Sequence, residues 1–268
     1  VVILKKDKSS ALAEYEDTPQ TIKYRAQVKL INAMLENTGN LLADGVVSID
    51  QRQRFLIRKF TYGSLESGGR LWGGFWMNME KKDRPVLLRI KGEETVEVDY
   101  KAVMAHIAYI EAGAEFPKGD LYTIPGVSVV SRAGIKKLVS ALFFRTTLPT
   151  KFPEGVGDLL SPEDRAKGCA HLVQLILQHH APIKHLFCAG RGHYLQHLES
   201  RVMVNLLLHC QRRGIPCLPI HDCLIVPRSQ GERIKDLMPH VARLVLGRGV
   251  PCEIKNDGKE DRENEEEV

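Results

Sequence analysis

The sequence predicts an α+β chain: an antiparallel sheet backed by helices, with a small helical subdomain beside it. Three observations predict it. Residues 86–90 and 95–99 form two strand-like runs joined by a turn signal at Lys91-Gly92. Residues 215–220 and 223–226 form a second such pair, joined at His221-Asp222. Blocks with helical spacing at 131–145, 162–180 and 193–213 stand between them. Alternating or apolar runs of this length read as strands, and repeats near 3.6 residues read as helices.

In chain order, residues 1–20 are polar and read as a loose lead-in. Within residues 21–37, Ile22, Val28, Ile31 and Leu35 lie near helical spacing and predict the first helix. A second helix is expected from Ser48 onward (SIDQRQRFLIRKF), with Ser48 or Asp50 as its N-cap. Gly63, Gly68, Gly69, Gly73 and Gly74 then break the chain into a turn-rich segment that holds both tryptophans. After the first strand pair, the pattern from Tyr100 to about Ala112 turns helical, and Gly113, Pro117 and Gly119 end it. A Pro/Gly-rich connection follows the 131–145 helix, Ser161-Pro162 opens the next, and residues 230–246 form a last amphipathic helix. No internal repeat is visible.

The chain has 268 residues, 43% of them hydrophobic and 26% charged, which suits a globular core. No apolar run approaches the ~20 residues of a membrane span, and a membrane partner is not expected. Nothing at the start reads as a signal peptide, and Val1 in place of methionine suits a fragment or a processed product. Six scattered cysteines with no CxxC pair suggest reduced thiols and a cytoplasmic setting. The net charge of +5 is uneven: residues 255–268 hold seven acids and three bases, leaving 35 basic against 26 acidic residues before them. A basic body with an acidic, disordered tail fits a polyanion binder.

Three segments carry candidate chemistry. In residues 95–100 (TVEVDY) an alternating strand delivers Asp99 where a helix begins. Such a place can present a metal ligand, with the carbonyl that follows as a second donor; the plain reading is a helix cap. In residues 218–226 (LPIHDCLIV) two strands put His221 and Asp222 at a hairpin tip. The plain reading there is a turn former. The His-Asp pair of metal-dependent phosphohydrolases lies on a helix, which these strand-like flanks disfavour. In residues 132–144 (RAGIKKLVSALFF), Arg132, Lys136 and Ser140 share one helix face and Phe144 continues it. Two cations one turn apart can hold a triphosphate and an aromatic can stack on a base or sugar; the plain reading is a solvated basic stripe.

The order and spacing of these segments resemble family A DNA polymerases, the bacterial DNA polymerase I type, and the related single-subunit phage-type RNA polymerases. Asp99-Tyr100 looks like motif A, Arg132 to Phe144 like motif B, and His221-Asp222 like motif C. Gly69-Arg70-Leu71 resembles the segment before motif A, and Asp120 with Tyr122 resembles the short signature between motifs A and B. These landmarks cover about residues 69–228. The resemblance implies a minimal polymerase without proofreading that extends a primed template by a two-metal mechanism. Asp99 and Asp222, with the carbonyl of Tyr100, would hold two magnesium ions, manganese being an alternative. Arg132 and Lys136 would clamp the triphosphate, and Lys136 would donate a proton to pyrophosphate. Tyr100, Met104, Ser140 and Phe144 would line the nucleotide. Arg70, Gln196 and His221 would contact nucleic acid, as would His197 and Ser200. The partners implied are a DNA primer-template (or RNA), nucleoside triphosphates and a processivity partner. A bacterial, phage or plasmid origin is consistent with this.

The same resemblance implies a palm in two parts, 61–125 and 193–254, a reduced fingers region at 126–192, a helical, reduced thumb-like region at 1–60 and the acidic tail. Several positions depart from it. Met104 stands where the DNA enzymes have a sugar-selecting glutamate, Ser140 replaces an aromatic, Phe144 replaces a tyrosine and is followed by Arg145, and Cys223 replaces the glutamate after the motif C aspartate. Synthesis from NTPs by an RNA polymerase or primase-like enzyme therefore stays open, as does a degenerate fold kept for binding nucleic acid. His193 and His197 have the spacing of a helical zinc pair, with Glu199 close by, but lack an intervening glutamate and a third ligand.

Overall fold

The computed structural model describes residues 2–5 (backbone only), 12–45 and 49–255 of the chain. Ser48 and residues 256–268, nearly all of the acidic tail, lie outside them. The chain divides into two compact units: residues 1–101 with 197–268, and residues 102–196.

The first unit carries two sheets. Strands β1 (Val2–Lys5), β2 (Leu12–Ala13), β3 (Ile57–Phe60) and β4 (Gly68–Trp72) form one, in the order β2-β1-β3-β4. Helix α1 (Pro19–Glu36) lies between β2 and β3 in sequence. It starts two residues before the expected Thr21 because Thr18 caps it: the Thr18 hydroxyl accepts from Thr21 N–H while Thr21 Oγ1 accepts from Thr18 N–H, and Pro19 fills the first helical position. The expected helix from Ser48 is absent among the described residues. Residues 51–52 turn and β3 follows, with Arg58 and Phe60 buried and Ile57 and Lys59 half-buried. The alternation of the IRKF run was a strand signal that the charged residues before it obscured. Strand pairing at residues 2–5 and 12–13 likewise replaces the expected loose lead-in.

The second sheet positions the candidate site. Helix α2 (Arg84–Leu87) takes up part of the expected 86–90 strand, leaving β5 (Arg89–Ile90), which turns back into β6 (Glu93–Tyr100). The turn is tight because Lys91 and Gly92 both adopt positive φ, 55° and 79°, the conformation of a two-residue hairpin. Strands β7 (Leu218–Ile220) and β8 (Cys223–Pro227) form the expected second hairpin, and β9 (Cys252–Lys255) adds to β6, so that β6 pairs antiparallel with β5, β8 and β9. Lys255 therefore ends a strand, a correction to its expected place in a disordered tail.

Helix α8 (Gly231–Leu246) packs against this sheet through Ile234, Met238 and Val241. Pro239 inside it has no N–H for the Lys235 carbonyl. Cys252 Sγ takes that acceptor at 3.1 Å, and the Tyr100 hydroxyl donates to Met238 O at 2.6 Å. The proline thus frees the Lys235 carbonyl, and Cys252 uses it to tie helix to sheet.

The second unit contains α3 (Val103–Glu111), α4 (Arg132–Phe144), α5 (Pro162–Lys167) and α6 (Cys169–His179). The expected 162–180 helix breaks at Gly168, which adopts φ 81°. Ile107, Tyr109, Ile135, Leu138, Leu142, Leu172 and Ile176 are fully buried. Within this core the Tyr109 hydroxyl bonds His180 Nδ1 at 2.9 Å, and His180 Nε2 meets Leu121 O at 3.0 Å. Helix α7 (Gly192–Arg212) begins in this unit and continues into the first.

Candidate active site

Strand β6 is two-faced. Val96, Val98 and Tyr100 are buried, while Glu97 and Asp99, on the alternate face, are half-buried. Asp99 does not cap a helix. The strand runs on through Tyr100, and α3 starts at Val103 after Ala102, which adopts φ 43° and makes no side-chain cap. The plain reading of Asp99 therefore fails, because the chain needs two more residues to turn.

Asp99 stands opposite Cys223 in the β6–β8 register, and Tyr100 N–H donates to Asp222 O at 3.2 Å. Paired residues of antiparallel strands lie roughly 4.5–5.5 Å apart between Cα atoms. Asp222 is thus one residue beyond the partner of Asp99. His221, which adopts φ 52°, makes the turn that places Asp222, and its ring meets the edge of Trp72 at 4.9 Å. Burial, with Arg70 adding, lowers the proton affinity of His221 against the pull of Asp222.

Glu199 of α7 completes an acidic cluster. It is 1% exposed and forms a two-pronged ion pair with Arg70 of β4, at 2.7 and 2.8 Å. Burial raises its carboxyl to about 7; Arg70 opposes the rise, and Asp222 and Asp99 add to it. Counter-charges hold the cluster. Arg84 meets Glu97 at 3.3 Å, and the Lys255 ammonium pairs with Asp99 Oδ2. Burial, with Glu97 and Asp99 adding, pushes the Cys223 thiol well up, so it stays neutral.

The chemistry of this donor set suits a hard divalent cation. Asp99 and Asp222 offer hard oxygen ligands, and such ions keep water and substrate oxygens in their remaining positions. Lys255 demonstrates that the carboxylate face already draws a cation. Among the described residues no group of three or more His, Cys, Asp or Glu side chains could hold a metal by itself.

In the second unit, Arg132, Lys136 and Ser140 lie exposed along α4 while Ile135, Leu138, Val139, Leu142 and Phe143 are buried. Arg132 forms a two-pronged ion pair with Asp120 at 2.7 and 2.9 Å and lies over the Tyr122 ring at 5.6 Å. Burial raises the Asp120 carboxyl, but the hydrogen bonds and charge of Arg132 outweigh it and hold the group below its usual range. Phe144 is half-buried, edge-on to His193 at 5.0 Å, and Gly192 makes room for it: a Cβ there would lie 2.5 Å from the Phe144 ring. Met104, in the first turn of α3, and Gln196 are half-buried.

Two side chains named from the sequence are committed elsewhere. The Tyr100 hydroxyl is buried against α8, so only its backbone carbonyl can serve a site. Ser200 is buried, and its hydroxyl donates to backbone carbonyls of Gly68 or His197. Two contributors were missed as such. Glu199 carried only a loose zinc association, and Lys255 was read as tail; the alternation of residues 252–255 (CEIK) was the available signal.

No protein-family model matches the chain, and no curated protein matches it. Among solved structures it is similar to the POL domain of Pol1 from M. smegmatis in complex with DNA primer-template and dNTP, at 11% identity and a TM-score of 0.44, over 88% of this chain. The chain spans 50% of that structure's length. What the first unit presents by itself is a mixed α/β fold whose antiparallel sheet brings two aspartates together.

Proposed function

We propose that this chain catalyses template-directed nucleotidyl transfer, extending a primed DNA template with dNTPs in the manner of a minimal family A-like polymerase. The observation that carries the reading is the β6–β8 register, which sets Asp222 beside Asp99, with the buried Glu199 near enough for both charges to raise its proton affinity. Asp99, Asp222 and the Tyr100 carbonyl would hold two magnesium ions or, alternatively, manganese. Such ions, when bound, activate a 3′-hydroxyl and offset the charge of leaving pyrophosphate.

The chain's own groups supply orientation and charge. Arg70 balances Glu199 and keeps the acidic cluster soluble in a buried place. On the second unit, Arg132 and Lys136 bind the triphosphate, Lys136 protonates the leaving pyrophosphate, and Ser140, Phe144 and Met104 line the nucleotide. Asp120 holds the Arg132 guanidinium in a fixed plane before the phosphate arrives, and a phosphate can compete for it. Gln196 and His221, with Arg70, contact nucleic acid. A cytoplasmic setting and a processivity partner belong to the same reading.

Lys255 on Asp99 favours a second reading, a polymerase-like fold that binds nucleic acid without catalysis, because an ammonium already fills one metal-binding oxygen. Met104 keeps synthesis from NTPs in view. A magnesium-dependent extension assay on a primed template, run with dNTPs and NTPs separately, decides among the three. The main reading expects extension with dNTPs and its loss in Asp222→Asn. Extension unaffected by that substitution would remove the catalytic assignment.

A further inference from the structure

Helix α7 presents a second face to solvent. Glu199 points to Arg70, and Met203 lines a small hollow with Arg70 and His221. His197, Arg201, Val204 and Asn205 fall on the other side of the helix and line a cleft of about 600 Å³. Its other walls come from α1, through Lys23 and Gln27, from β3, through Arg58, and from α8, through Leu244.

Arg58 is only 1% exposed. Its guanidinium lies over the Tyr24 and Phe60 rings, at 4.1 and 5.0 Å, and Nε donates to Gly69 O at 3.0 Å. The other contacts are long, 3.5 Å to Gln27 and 3.4 Å to Ser200, and among the described residues no carboxylate pairs with it. Burial, with Arg201 adding and Tyr24 opposing, lowers it to about 10. His197 is 4% exposed, and its Nδ1 is buried without a hydrogen bond. Burial, Arg58 and Arg201 lower it to about 4, so it is neutral at pH 7. Cationic groups thus converge on one cleft whose only acid among the described residues, Glu66, is exposed. A buried, uncompensated charge is costly, and an anion bound there offsets it.

We propose that this cleft binds a nucleotide, with its phosphate among Arg58, Arg201 and Lys23 and its base against Val204 and Leu244. A lone phosphate would leave most of the volume empty, whereas a base fills it and meets the amides of Gln27 and Asn205. The ligand is either a free nucleotide or the 5′-terminal nucleotide of a strand, and the inference does not rest on the catalytic reading of Asp99 and Asp222.

The test is calorimetric titration of the full chain, in EDTA and in a Lys136→Ala background, with ATP, adenosine and short oligothymidylates carrying a 5′-phosphate or a 5′-hydroxyl. ATP is expected to bind and adenosine not to. Arg201→Ala and Lys23→Ala, both on the rim and safe for folding, should each weaken ATP binding about tenfold, with melting temperature unchanged. Asp222→Asn should leave it unaltered. Displacement of ATP by the 5′-phosphorylated strand alone assigns the site to a strand end; no displacement assigns it to free nucleotide. Equal affinity for adenosine, ATP affinity unchanged in both rim variants, or no ATP binding at millimolar concentration would overturn the proposal.

Discussion

Arg70 and Glu199 bring opposite charges into one buried space, together with two more carboxylates that raise the proton affinity of Glu199. Removing one partner of a buried pair leaves the other uncompensated, at about 3–5 kcal/mol. Arg70→Ala is expected to lower unfolding stability by about that amount, read from urea denaturation. Asp222→Asn should do the opposite: remove a like charge, leave stability equal or higher, and abolish extension. A loss of extension accompanied by unfolding would mean that Asp222 is structural. At this scale the sequence was partly legible. Asp99 and Asp222 stood out by their strand ends, but each alone read as a cap or a turn. Glu199 could not be read as their neighbour, because that proximity depends on how α7 packs beside the sheet.

At the scale of elements, α4 and the loops that start it are held by one carboxylate. Asp164 is 1% exposed and accepts from Ser128 N–H, the Ser131 and Ser161 hydroxyls and Lys167. Burial raises its pKa, but these bonds outweigh it and hold the group down to about 2. Because the folded value lies below the usual 3.8, the stabilisation is present above about pH 4 and lost as the pH falls to about 2. Thermal melts of the wild type should show this acid limb, and Asp164→Asn should lack it. The far end of α4 depends on Gly192. Gly192→Ala should push Phe144 aside, cost about 1–3 kcal/mol, and raise the KM for nucleotide more than it lowers kcat. A variant with unchanged KM would remove Phe144 from the nucleotide site. The helices at 132–144, 192–212 and 231–246 were well read because their period is local, whereas the one expected from Ser48 was not. The strand at Ile57–Phe60 was not, since it pairs with residues 2–4 and 68–72; the 162–180 break at Gly168 was also missed, although its cause is that glycine's own positive φ.

For the molecule as a whole, the charge distribution is the property that bears on function. The chain carries +5 overall and 35 basic residues against 26 acidic before residue 255. If it binds a primer-template, affinity should fall linearly with the logarithm of salt concentration, with a slope of about −0.7 to −0.9 per phosphate neutralised. Fluorescence anisotropy between low and physiological salt measures it, and a slope near zero would remove the nucleic-acid partner. Among the described residues no helix is long and apolar enough to cross a membrane.

The sequence by itself determined the elements whose signal is local: most of the periodic helices, the hairpin at residues 218–226, and the strand that carries Asp99. It also marked the residues with chemistry, Arg132 and Lys136 on one helix face and two aspartates at strand ends. Only the tertiary structure decided which of them meet. Register set Asp222 beside Asp99, helix packing added Glu199 and Arg70, and β9 brought Lys255 to the acid face. Period and turn chemistry act over a few residues, whereas pairing across a sheet depends on the closure of loops more than a hundred residues long, and no local pattern records it.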